Sequence, residues 1–319
     1  MTAREVPPSE VPAREEPHPA AREVPGPPAN EPDMLRHPAT ARDVIGHPAT
    51  ARDVPRALRQ LGKAALRVRA PWAHTAFLRS DVLAGRGVPR GDGAPVVLLP
   101  PAVAGDWLLP ILSNWLRRIG YVPYPSTIAL HIDCSDRTMT RLLPRVEALA
   151  QRSQRRVVLL GHSRGGLLSR ALAGARPDLV ERVVTLASPL ADPYVIQNLT
   201  LAAAASLARS RMQRHGRVDC LTAACACPYG AAFASPWPTG PDAPRLVSLF
   251  TRSDEVVRWQ TCLVPYAHNV EVRGSHTGLL ASRNAYQVIA EALAGRYDEP
   301  GTTWCGEPPS YVLEPDEEP

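Results

Sequence analysis

The chain has 319 residues, 45% of them apolar, and a net charge of +5, which suits one large globular domain or two small ones. Its positive charges are dispersed, with no aromatic-interleaved basic patch and no reading helix, so nucleic-acid binding is excluded. No apolar run approaches the roughly 18 residues of a spanning helix, and "MTAREVPPSEVPAREEP" lacks the apolar core of a signal peptide, so a soluble, cytoplasmic protein is expected.

Residues 1–55 are expected to be a disordered tail. They repeat variants of "AREVP" and then the ten-residue units "HPATARDVIG" and "HPATARDVPR", with proline every few positions and few apolar residues. Such a segment cannot bury enough surface to offset the entropy of ordering it. Residues 56–94 are expected to hold an amphipathic helix and a linker. In "RALRQLGKAALRVR", Leu58, Leu61, Ala65 and Val68 share one helical face, and most of the basic residues lie elsewhere. Packing on its own domain is the simple reading of that helix, and peripheral membrane association is the alternative.

From residue 95 the punctuation becomes regular. "PVVLLP" reads as a buried strand, and a helix is expected from near Asp106 to Gly120. "YVPYPS" reads as a short strand, "DRTMTRLLPRVEALAQRS" as a helix and "RVVLL" as a strand. "GGLLSRALAGARP" is a further helix, followed by the strand "ERVVTLAS". Residues 189–243 are Ala/Pro-rich and read as an irregular cap or lid insert. "RLVSLF" and "NVEVRG" are the last strands, and "NAYQVIAEALAG" is the closing helix. Strands alternating with helices predict an α/β domain over 95–296, with a mostly parallel sheet covered on both faces. Residues 297–319 carry seven acidic and no basic residues and read as an acidic, Pro-rich tail.

Charge is unevenly spread along these segments. Between the two tails, residues 56–296 hold 30 basic against 15 acidic residues. An arginine-rich solvated surface accounts for this, and attraction to anionic lipid headgroups is the functional alternative. The six cysteines are too sparse for a disulfide scaffold. Cys220, Cys225 and Cys227 cluster near His215, but their spacing is not that of a zinc site. Neither a metal nor any other cofactor is expected.

The stretch that carries chemistry is "RVVLLGHSRGGLLSRAL", residues 156–172. A serine hydroxyl is a weak nucleophile until a base removes its proton, and it must project from its surroundings to reach a carbonyl carbon. A tight strand-to-helix turn presents it so, and glycines two before and two after make room for that turn. Ser163 stands at this position. The helix that follows adds free N–H groups and the positive end of its dipole.

Its partners are expected in loops after later strands, the acid before the histidine. "TRSDEVV" follows "RLVSLF" and supplies Asp254, with the adjacent Glu255 as rival acid. "SHTGLL" follows "NVEVRG" and supplies His276. In this reading His276 takes the Ser163 proton, and Asp254 fixes its tautomer and stabilises its charged form. The backbone N–H groups of Arg164 and Ala102 are the expected oxyanion donors. The Arg164 side chain reads as a solvent-facing or rim charge, and His162 as a residue that packs locally.

Together "VVLLPPAVAGDW", "GHSRGG", "VVTLASPL", "TRSDEVV" and "GSHTGLL" resemble the α/β-hydrolase superfamily. Within it they are similar to bacterial esterases and triacylglycerol lipases whose oxyanion loop follows an apolar strand with Pro-Gly-x. The resemblance implies an α/β-hydrolase fold and a serine-dependent carboxylic ester hydrolase that forms an acyl-enzyme on a small-molecule ester or lipid. Pro101 departs from the pattern by standing where the family has glycine, and it has no N–H to donate. Two alternatives share the fold: an acyltransferase with the same triad, and a catalytically weak lipid-binding protein.

Overall fold

The computed structural model describes residues 71–307, except 195, 215 and 217–224. The expectations for the 1–55 tail, the 56–69 helix, Cys220 and His215 and the last twelve residues lie outside the described residues.

Seven strands form one sheet, in the order β2-β1-β3-β4-β5-β6-β7. They are β1 (Pro95–Leu99), β2 (Val122–Pro125), β3 (Val157–His162), β4 (Val180–Leu186), β5 (Arg245–Phe250), β6 (His268–Glu271) and β7 (Gly301–Thr303). Every neighbouring pair is parallel. The helices among the described residues are α1 (Pro71–Leu78), α2 (Pro110–Arg118), α3 (Ser135–Ser153), α4 (Arg164–Ala175), α5 (Leu199–Arg214), α6 (Pro228–Ala234) and α7 (Arg283–Leu293). None is long and apolar enough to cross a membrane.

The sheet is covered on both faces because its central strands are apolar on both. Val96 and Leu98 of β1 and Val158 and Leu160 of β3 pack with Trp115 of α2 and Tyr286 of α7. Their neighbours Val97, Leu99, Val157 and Leu159 pack on the other side, with Leu142 of α3 and Leu172 of α4. This is the period-two alternation of a strand, with both phases apolar. Trp115 is fully buried, and its indole N–H is satisfied by the Val82 carbonyl at 2.7 Å.

Four sequence expectations change. The helix expected from Asp106 is a short 3₁₀ turn, Asp106–Leu108, followed by α2 from Pro110. Proline lacks the N–H that a helix interior needs but fits the first helical position, so the helix starts there. The insert 189–243 is not irregular throughout, since it holds α5 and α6. An alanine-rich segment has high helix propensity without needing a strong apolar period. Residues 297–307 do not read as tail: β7 pairs with β6 over Gly301–Thr303. Residues 70–94 contain α1, and Phe77 and Val82 there are buried in the core.

The order of strands places the site. From β1 the chain crosses to β2 on one side, then returns to β3 on the other. The connections leaving β1 and β3 therefore run in opposite directions, and in open α/β sheets ligands bind at the carboxyl ends of strands where the order reverses in this way.

Candidate active site

Ser163 follows β3 directly and caps α4 with φ 53° and ψ −118°. A positive φ is costly for a residue with a side chain, and here the surroundings enforce it. The Ser163 N–H donates to the Leu186 carbonyl of β4 at 2.7 Å, and its own carbonyl accepts from Gly166 N at 2.9 Å. The flanking glycines are required by contact. A Cβ on Gly161 would lie 2.4 Å from the Gly165 carbonyl carbon, and one on Gly165 would lie 2.3 Å from the Leu99 oxygen of β1. The spacing read from the sequence thus lets β1, β3 and α4 converge beneath the serine.

The loops after β5 and β6 bring Asp254 and His276 together. His276 Nδ1 lies 2.8 Å from Asp254 Oδ2, with side-chain exposures of 4% and 0%. The other carboxylate oxygen of Asp254 accepts from the N–H groups of Val256 and Val257 at 2.8 and 2.9 Å. With Nδ1 donating to a carboxylate, the neutral imidazole carries its lone pair on Nε2. Glu255 takes a different part: its Oε2 accepts from the His276 backbone N–H at 3.0 Å. One acid of the pair holds the ring, and the other holds the main chain.

His162 is buried beside this pair. Its Nε2 donates to the His276 carbonyl at 2.9 Å, and the two imidazole rings are 5.1 Å apart. Burial, reinforced by the nearby His276, pushes its pKa down to about 3, so it is neutral. It packs locally and ties the β3 end to the histidine loop.

The loop after β1 is fastened to the loop after β2. Val103 N donates to the His131 carbonyl at 3.1 Å, His131 N to the Ala104 carbonyl at 2.7 Å, and Asp106 N to the Ile128 carbonyl at 2.9 Å. The Asp106 carboxylate receives Ser126 Oγ and Thr127 N, both at 2.6 Å. Gly105 passes so close to this loop that a Cβ would meet the Ala129 oxygen at 2.0 Å. Under the loop His131 is buried, and its Nδ1 donates to the Pro100 carbonyl at 2.9 Å. Burial, with Arg164 adding to it, lowers its pKa to about 3. Ala102 and Pro101 belong to the segment so held. His131 carries no motif; it lies mid-loop in "ALHIDCSD", and sequence reasoning misses it.

Arg164 corrects a further expectation. Its side chain is not a solvent-facing or rim charge but is bonded to residues 131–135. Nη1 donates to the His131 carbonyl at 3.1 Å, and Nη2 to the Asp133 carbonyl at 2.6 Å and to Ser135 Oγ at 3.0 Å. The planar fork of guanidinium donors suits three acceptors within residues 131–135. Arg170 does the same for α6: buried against Phe233, Trp237 and Tyr266, it donates to the carbonyls of Ala232 and Ser235 at 2.7 and 2.6 Å.

Among the described residues no group of three or more His, Cys, Asp and Glu side chains is arranged to hold a metal ion. The Cys225 and Cys227 sulfurs lie 3.0 Å apart as thiols, and Cys227 caps α6 by accepting from Gly230 N.

A family model, the PGAP1-like alpha/beta domain, matches residues 135–214, which run from α3 through the serine turn to α5. With the sheet order, the serine turn and the Asp254–His276 pair, this decides the fold. The chain is an α/β-hydrolase-fold protein. Solved structures with a hydrolase fold are similar to it. The propeptide form of Bacillus licheniformis lipase BlEst2 is 16% identical with a TM-score of 0.45, covering 68% of this chain and 54% of that one. Aspergillus fumigatus lipase B is 14% identical with a TM-score of 0.47, covering 66% and 54%. Polyneuridine aldehyde esterase is 13% identical with a TM-score of 0.41, covering 64% and 98%. The chain thus spans about half the length of the first two. No curated protein matches it in sequence.

Proposed function

We propose that the chain hydrolyses carboxylic esters through a Ser163–His276–Asp254 triad and an acyl-enzyme. The observations that carry this reading are the buried 2.8 Å contact between His276 Nδ1 and Asp254 Oδ2 and a serine held at positive φ on a strand-to-helix turn, whose neighbour His162 donates to the His276 carbonyl. With Nδ1–H committed to the carboxylate, His276 Nε2 is the basic nitrogen. It takes the Ser163 proton as Oγ attacks the ester carbonyl, and returns it to the departing alcohol. Water then attacks the acyl-enzyme by the same route, regenerating Ser163 and releasing the acid.

The tetrahedral intermediate carries its charge on the former carbonyl oxygen. The backbone N–H groups of Arg164, at the start of α4, and of Ala102, in the loop after β1, are assigned to that oxygen. Each such donor is worth roughly 10²- to 10³-fold in rate. Pro101 leaves the Ala102 N–H intact, and the hydrogen bonds from 126–131 supply the loop rigidity that a donor of this kind needs.

The test is labelling with a fluorophosphonate, together with turnover of short- and long-chain nitrophenyl esters. Wild-type protein should be labelled and active; Ser163→Ala should be neither. Equal labelling of both proteins refutes the assignment.

A further inference from the structure

A cavity of about 920 Å³ opens between the loop after β2, helix α3 and helix α5, at the upper end of the roughly 300–1,000 Å³ of small-molecule sites. One wall is the outer side of the 126–133 loop, whose inner side is bonded to the 100–106 loop. Ile128, Leu130, Ile132, Leu142 and Met212 supply its apolar surface. Leu130 and Ile132 stay 48% and 39% exposed. Apolar area left to water costs about 25 cal/mol per Å² relative to burial, and gathered in a concavity it is what an apolar ligand would cover.

The other lining groups are charged. Arg137 and Arg141 both face Asp133, at 3.6 and 3.5 Å, with side-chain exposures of 47% and 68%. Two guanidiniums against one carboxylate leave a net positive charge at the cavity, and both contacts are longer than a hydrogen bond. Guanidinium forks match carboxylate and phosphate oxygens in pairs. We propose that this cavity binds an anionic amphiphile, its alkyl chain against the apolar wall and its carboxylate or phosphate between Arg137 and Arg141. The proposal rests on the cavity and not on the chemistry assigned to Ser163. The two places are nonetheless joined, because Arg164, next to the serine, donates to the Asp133 carbonyl.

The test is calorimetric titration of the Ser163→Ala chain with dodecanoate, dodecyl phosphate, dodecyl maltoside and inorganic phosphate, all below micelle-forming concentrations. At least one of the two anions should saturate at one per chain and bind about tenfold more tightly than the maltoside, with no binding of inorganic phosphate. Which anion binds better identifies the headgroup. Arg137→Gln/Arg141→Gln, at exposed positions that the fold tolerates, should abolish the tenfold preference. Leu130→Asn, which adds polarity but no charge, should weaken anionic and neutral chains alike, by about tenfold. Equal affinity for anionic and neutral chains overturns the proposal. So does unchanged binding in the arginine double variant, or inorganic phosphate binding as well as dodecyl phosphate. Fluorophosphonate labelling of the wild type reports on Ser163 separately, so the two readings fail independently.

Discussion

His131 Nδ1 donates to the Pro100 carbonyl at 2.9 Å from a buried position, and so holds the loop after β1 from beneath. The donor is a neutral imidazole whose tautomer is set by that bond. Under the proposed function, His131 is a positioning residue for the loop that carries Ala102. His131→Ala should lower kcat about 10²-fold with little change in KM, since a misplaced donor is felt in the transition state. His131→Asn puts an amide N–H near the place of Nδ1–H and should recover kcat to within about tenfold. His131→Gln, whose amide lies one carbon farther out, should not. Steady-state kinetics on the three variants checks this, because a merely structural role would not sort Asn from Gln.

The buried histidines also make stability depend on pH. His131 and His162 both have folded pKa values of about 3, against 6.5 ordinarily. Between those values the unfolded chain binds a proton at each site and the folded chain does not. Stability from this source is therefore complete above about pH 6.5 and is lost as pH falls toward 3. The loss is about 1.4 kcal/mol per pH unit for each histidine. Urea denaturation between pH 6.5 and 4 should show a slope in His131→Asn smaller than wild type by the equivalent of one proton. Identical slopes would contradict burial of a neutral His131.

Asp254 and Glu255 are neighbours with different partners, and exchange of each carboxylate for an amide should separate them. Under the proposed function, Asp254→Asn removes the acceptor that orients His276 and should lower kcat by about 10⁴. Glu255→Gln keeps an oxygen for the His276 N–H and should change kcat by less than about tenfold, with stability shifted by about 1 kcal/mol. Comparable losses in the two variants would contradict this division.

Gly165 faces main chain and not a yielding side chain, so its substitution has no cheap relief. An added methyl would meet the Leu99 oxygen at 2.3 Å. Gly165→Ala should cost about 3 kcal/mol or more, read as a lower denaturation midpoint. Gly306→Ala is the control, since a Cβ there meets nothing within 4 Å.

Arg170 fastens α6 through two carbonyls, each a charge-assisted bond worth about 1.5–3 kcal/mol. Arg170→Met keeps apolar bulk against Phe233 and Trp237 but removes both bonds. Hydrogen exchange should quicken over 228–235 and stay unchanged in β3 and β4. Uniform acceleration across the sheet would show that the bonds support the whole fold and not α6 alone.

Much of the architecture was legible because it is written in local period and punctuation. Short apolar runs such as "PVVLL" and "VVLL" mark strands buried on both faces, and the glycines at 161 and 165 mark the turn that presents Ser163. β7 was not legible, because "GTT" has no apolar run, and its burial pattern is exposed throughout; only pairing with β6 makes it a strand. Helices α5 and α6 were hidden by alanine and proline, which leave little periodic contrast.

What the sequence by itself determined is the order of elements, the serine turn and the loops from which an acid and a histidine could come, since each depends on residues a few positions apart. Only the tertiary structure decided that Asp254 and not Glu255 meets the imidazole, that Arg164 turns inward, and that His131 supports Pro100. These contacts join loops 22 to 33 positions apart, and the His162–His276 contact spans 114. Adjacent acids look alike in a chain; the direction in which each side chain points is set by the sheet that carries the loops.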